Sequence, residues 1–157
     1  MKILFLDIDG VLNFEGCEAR TPEGYVGISD ALVKKLRHIV DRTDAVIVLT
    51  SSWRKQKDAP MWQYLNRKLG KQGLHIGSTL SSSFHESERY EAILDWMRKN
   101  TLEGEIESWC ILDDVPHIGY MEDMDVARHF IYTSRVLGLT DGDVDKAVRI
   151  LSNDFGE

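Results

Sequence analysis

ILFLDIDGVLN, residues 3–13, is an apolar run that ends in two aspartates, one residue apart, followed by glycine. Continuous rather than alternating hydrophobicity reads as a strand covered on both faces, which places KILFLDI, residues 2–8, inside a parallel sheet. Similar runs recur as AVIVLT at 45–50, WCIL at 109–112 and HFIYT at 129–133, with LHI at 74–76 a weaker fifth. Helical stripes lie between them. Ser29 caps one carrying Leu32, Val33, Leu36, Ile39 and Val40, and Pro60 opens one carrying Trp62, Leu65 and Leu69. Ser87 is the expected cap of Tyr90, Ile93, Leu94 and Met97, and Thr140 caps Val144, Ala147, Val148 and Leu151. Strands alternating with helices predict an α/β domain with right-handed crossovers. The expected architecture is a Rossmann-like parallel sheet in the order 3-2-1-4-5, with helices on both faces.

The 157 residues suit a single domain, and 43% hydrophobic content excludes a disordered tail. A net charge of −7 argues against a generic nucleic-acid or membrane coat. The two cysteines, Cys17 in a polar loop and Cys110 in an apolar run, match no zinc or redox spacing. No segment reaches the roughly 20 apolar residues of a membrane helix. Met1 leads straight into the first strand with no signal peptide, so the expected location is the cytoplasm.

Ligands of open parallel sheets gather at the carboxyl ends of the strands. There the first strand offers Asp7, Asp9 and Gly10, the second Thr50, Ser51, Ser52 and then Arg54, and the fourth Asp113 and Asp114. Four aspartates at one sheet edge repel one another, and Mg²⁺, which prefers oxygen ligands, resolves the conflict. Asp7 and one of Asp113 or Asp114 are candidate ligands, with the backbone carbonyl of Asp9 a further one. Asp7 is placed to attack phosphorus, and Asp9 to protonate the leaving oxygen and then activate water.

DIDGVLN resembles motif I of the haloacid dehalogenase superfamily, through Asp7, Asp9 and Gly10. The resemblance implies a phosphatase in which Asp7 is the nucleophile and Asp9 the acid/base. VLTSSWR is similar to motif II, with Thr50 and Ser51 competing for its phosphoryl-binding hydroxyl and Ser51 narrowly favoured. CILDDV is similar to motif IV, which makes Asp114 the expected direct metal ligand. In SERYEAILDW, Arg89 stands where the motif III cation belongs, whereas Lys99 lies at the far end of that helix. Together with the GLTDGDVDKAVRIL ending, these motifs are similar to the small phosphatase-like domains of multifunctional RNA-repair proteins.

Other readings fit less well. As a calcium loop, Asp7 at position 1 puts Glu18 at position 12, but Val11 and Leu12 fill positions 5 and 6. A phosphoryl-accepting receiver module carries its acidic pair on the first strand and its acceptor on the third, and a non-catalytic scaffold has no need of the full aspartate set. Neither gap in the motif order is long enough for a full cap domain, so the site is expected to be open. Residues 54–71 carry six basic residues and one acid, Asp58, for a local charge of +5. Such a stretch either guides an RNA or DNA end or a nucleotide, or is a solvated helix face. His117, after DDVP, is the one histidine expected near the site, and Trp53 and Trp62 read as packing residues.

Overall fold

The computed structural model describes residues 1–56, 60–101 and 105–156. Its elements in chain order are β1 (Lys2–Leu6), α1 (Asp30–Thr43), β2 (Val46–Leu49), α2 (Pro60–Gly70) and β3 (Ile76–Thr79), then α3 (Arg89–Asn100), β4 (Ser108–Asp113), α4 (Met124–His129), β5 (Phe130–Tyr132) and α5 (Asp141–Leu151). The five strands form one sheet in the order β3-β2-β1-β4-β5, and every neighbouring pair is parallel. β1 is central, which explains its continuous apolar sequence.

Alternation along each strand sorts the core into two layers. Leu4 and Leu6 of β1 face a cluster that takes Leu32, Val33, Leu36 and Ile39 from α1, Leu65 and Leu69 from α2, and Val144, Ala147 and Leu151 from α5. Ile3 and Phe5 face the opposite cluster, with Ala92, Ile93 and Trp96 from α3 and Val126 from α4. Burying one such large side chain contributes roughly 1.5–3 kcal/mol. The two layers fix the sheet as a rigid floor whose carboxyl edge carries the polar residues.

The helix boundaries follow their caps. Ser29 accepts a hydrogen bond from the Leu32 N–H, and Thr140 and Asp143 form a reciprocal capping box at α5. Pro60 is the first residue of α2. Three expectations shift. β3 begins at Ile76, because the Leu74 N–H donates to the Leu69 carbonyl and Gly73 turns with φ +72°, so Leu74 finishes the α2 cap instead of pairing. Ser87 is not a cap. It lies in a 3-10 turn, Glu86–Glu88, where the Glu88 carboxylate accepts from the His85 N–H. His129 closes α4, capped at its start by Asp123, rather than opening β5. Cys17, expected in a polar loop, is buried, as is Cys110.

Between β1 and α1 the chain makes turns and one isolated bridge, Arg20 to Val26, with no inserted layer. Among the described residues no helix or strand of a cap domain is inserted between β1 and α1 or between α3 and β4. No helix of the described residues is long and apolar enough to cross a membrane.

Candidate functional site

Register builds the site. Leu6 pairs with Leu49 on one side and Leu112 on the other, and the next residues continue both ladders. The Thr50 N–H donates to the Leu6 carbonyl (2.8 Å) and the Asp7 N–H to the Leu112 carbonyl (3.0 Å). Thr50, Asp7 and Asp113 therefore form one row across three adjacent strands. By alternation they continue the series Val48, Phe5 and Ile111, on the sheet face that α3 covers.

Asp7, Asp113 and Asp114 bring carboxylate oxygens within 4.8 Å of one another. Burial, then the neighbouring charges of Asp113 and Asp114, push the Asp7 carboxyl well above its ordinary value, against the opposing pull of Arg89. Asp114 is raised by burial and by Asp113. Burial also works against ionised Asp113, but His117, Arg89 and the Val115 N–H outweigh it and hold that carboxyl low. Arg89 Nη1 is 2.9 Å from Asp113 Oδ2 and 3.3 Å from Asp7 Oδ1, and the Val115 N–H donates to Asp113 Oδ1 at 3.0 Å. His117 Nε2 stands 3.4 Å from Asp113 Oδ2. The set fits a divalent cation: buried carboxylates in excess of their counter-charge, with Asp7 carrying the strain of the mismatch.

Asp9 stands apart from that cluster. Its chain has left the strand, its side chain is exposed, and each of its oxygens has its own donor. Asn13 Nδ2 donates to Oδ1 (2.9 Å) and Trp53 Nε1 to Oδ2 (3.2 Å). Gly10 permits the arrangement. It adopts φ +79°, and a Cβ there would run into the Asp114 carboxylate. The Thr133 hydroxyl donates to its carbonyl at 2.9 Å. Gly10→Ala is expected to cost about 1–3 kcal/mol from backbone strain and to push Asp114 aside. A thermal melt together with Mg²⁺ titration reads both effects; unchanged stability and affinity would show that the turn adapts.

The hydroxyls and cations divide as follows. Thr50 is fully buried and its Oγ1 has no partner, whereas Ser51 Oγ accepts from the Trp53 N–H at 3.2 Å. Arg54 is not on the surface. It is buried, and its Nη1 donates to the carbonyls of Thr50 (2.6 Å) and Ser51 (3.0 Å). Arg89, at the start of α3, is buried too, and burial, which opposes its charge, is outweighed by Asp7, Asp113 and Glu86. Lys99 lies far along α3, paired with Asp95. Of the basic stretch, Lys68 is paired with Asp30 at 2.6 Å, Arg67 is exposed, and Lys57 and Asp58 lie outside the described residues. Among the described residues of the stretch, Arg54 is turned inside and Lys68 is paired, so these two cations do not join a free basic surface.

Four contributors escaped the sequence reading. Glu86 bridges Arg54 and Arg89, and its signal was an acid three residues ahead of Arg89. Asn13, four residues after Asp9, follows the habit of Asx side chains in turns. Trp53 packs in the core as expected, yet its indole N–H also serves Asp9. Thr133, after β5, had no local signal.

The family model described as the HAD domain in Swiss Army Knife RNA repair proteins matches residues 3–144. No curated protein and no solved structure matches the chain.

Proposed function

The chain belongs to the family of HAD domains found in Swiss Army Knife RNA repair proteins, and from that membership and the site geometry we propose a Mg²⁺-dependent phosphomonoesterase acting through Asp7. The observation that carries the reading is the row Thr50–Asp7–Asp113, flanked by Asp114 and Arg89, with Asp9 held separately by two donors of its own. Asp7 is rigidly placed at the end of a central strand, as a nucleophile needs.

Asp7, Asp114 and the neighbouring Asp113 would hold the cation, with the Asp9 carbonyl a further candidate. When bound, Mg²⁺ supplies the charge that keeps Asp7 ionised and offsets the phosphoryl oxygens. An Asp7 oxygen attacks phosphorus, the ester P–O bond breaks, and Asp9 gives its proton to the leaving oxygen. Asp9 then takes a proton from water as that water attacks the phosphorus of phospho-Asp7. Inorganic phosphate leaves and both carboxyls are restored. Asn13 and Trp53 aim Asp9 throughout. Thr50 and Ser51 both keep an O–H free to donate to the phosphoryl group, since Thr50 Oγ1 has no partner and Ser51 Oγ only accepts, from the Trp53 N–H. Arg89 offsets developing charge.

A site with no cap domain inserted among the described residues suits a phosphate borne on something large. With the family's RNA-repair association, the proposed substrates are phosphorylated RNA or DNA ends and nucleotides. Multiple-turnover release of phosphate from an aryl phosphate and from 3′- and 5′-phosphorylated RNA, with Mg²⁺ and with chelator, tests the reading. Expected is Mg²⁺-dependent turnover, slowed about 10²–10⁴-fold in Asp9→Asn. Folded, Mg²⁺-binding protein that releases nothing would overturn it, and stable phospho-Asp7 without release would make the domain a phosphoryl-accepting module instead.

A further inference from the structure

Two guanidinium groups lie almost wholly inside the protein beside Asp7, and one carboxylate joins them. Arg54 and Arg89 are 3% and 5% exposed, while the Glu86 side chain is 44% exposed. Glu86 Oε1 accepts from Arg54 Nη1 at 3.3 Å, and Oε2 accepts from Arg89 Nη2. The Nε atoms of both arginines are buried without partners. Glu86 sits in a three-residue 3-10 turn between the polar 80–85 loop and α3, so its side chain can swing outward while both arginines stay anchored. Arg54 is held by two backbone carbonyls, and Arg89 by Asp7 and Asp113.

We infer that Glu86 is a carboxylate gate, occupying the Arg54–Arg89 pair as a stand-in anion and yielding it only to a phosphomonoester dianion. The inference rests on the phosphatase reading and adds a basis for selecting the substrate. Charge is the reason. Glu86 pairs with both Arg54 and Arg89, so an incoming phosphate finds neither guanidinium free unless that carboxylate withdraws. Asp7 and Asp113 are buried and Asp114 only partly exposed, whereas the Glu86 side chain reaches solvent and belongs to neither the strand ends nor the carboxylate cluster. An entering group must then outbid a carboxylate for two arginines at once. A terminal phosphate, with about two negative charges and three free oxygens, can span both guanidinium groups. An internal phosphodiester has one charge and two free oxygens and competes poorly. Next to a nucleic-acid backbone, that difference would keep internal linkages out and let ends in.

The test compares wild-type protein with Glu86→Gln by calorimetric titration with inorganic phosphate and with dimethyl phosphate, in Mg²⁺ and in chelator. Neutralising the gate is expected to tighten phosphate binding about tenfold, which is about 1.4 kcal/mol. It should also let dimethyl phosphate bind measurably, narrowing the preference for monoester. Glu86→Asp keeps the charge on a shorter arm and should restore most of the discrimination; it also decides the matter if the glutamine variant folds poorly. Equal or weaker phosphate binding by Glu86→Gln would overturn the gate and make Glu86 a clamp on Arg89, leaving the phosphatase reading intact. Absence of phosphate binding by every protein, with Mg²⁺ bound, would overturn both.

Discussion

Asp7→Asn is expected to abolish multiple turnover, lowering the rate by at least about 10⁴-fold, while the metal-free protein keeps or gains thermal stability. The first half follows from chemistry: a carboxamide does not attack phosphorus, and the other groups of the site have nothing to work on without the nucleophile. The second half follows from electrostatics. Burial and the charges of Asp113 and Asp114 raise the Asp7 carboxyl. A carboxyl raised on folding makes the native state bind more protons than the unfolded chain. Its stabilising contribution is full below the ordinary carboxylate value and is lost as pH climbs through the raised one. Asp113 acts in the opposite sense: held low, it contributes at neutral pH, and that contribution disappears as pH falls through its depressed value. In chelator, wild-type melting temperature should therefore decline as pH rises from the ordinary carboxylate range, and Asp7→Asn should flatten that decline. Full activity in the variant would remove Asp7 as nucleophile. An unchanged pH slope would show that Asp7 is not where the cluster's repulsion collects.

What the chain disclosed in advance was whatever rests on local pattern. β1 and β2 are continuous apolar runs because they are buried on both faces, and Ser29 and Thr140 cap helices because their hydroxyls meet orphan N–H groups. The motif order at strand ends carried the family and the sheet order, and the register then put Asp7 beside Asp113 and Thr50. Hidden was everything set by tertiary approach. Arg54 reads as a strand-end candidate that is also one cation of a basic stretch, and what the sequence does not show is that the fold turns it inward onto the carbonyls of Thr50 and Ser51. Thr50 and Ser51 compete in sequence, with Ser51 narrowly favoured, and only the fold shows that Ser51 Oγ accepts from the Trp53 N–H while Thr50 Oγ1 is buried without a partner. The short β5 and the start of β3 were misplaced because a helix cap borrowed their flanking residues.

Arg89→Met should produce the largest loss of stability at the site. The guanidinium lies between Asp7, Asp113 and Glu86, and Asp113 has no exposure to water. Replacing Arg89 with an apolar side chain of similar length keeps much of the packing and leaves Asp113 with His117 and one backbone N–H. Removing one partner of a buried ion pair costs about 3–5 kcal/mol. For a domain of this size that is a fall in melting temperature of about 10 °C. The same variant should lose about 10²–10³-fold in kcat/KM, because the charge that would meet the transferring phosphoryl group is gone. Mg²⁺ separates the electrostatic cause from a packing one. A divalent cation among the same carboxylates replaces the missing charge, so saturating Mg²⁺ should recover more stability in the variant than it adds to wild type. Arg89→Lys should fall between the two, since a single ammonium cannot span Asp113 and Glu86 together. A loss below about 1 kcal/mol in chelator would mean that water already compensates the carboxylates. The buried Arg89 network would then be an arrangement for binding substrate with little part in holding the fold.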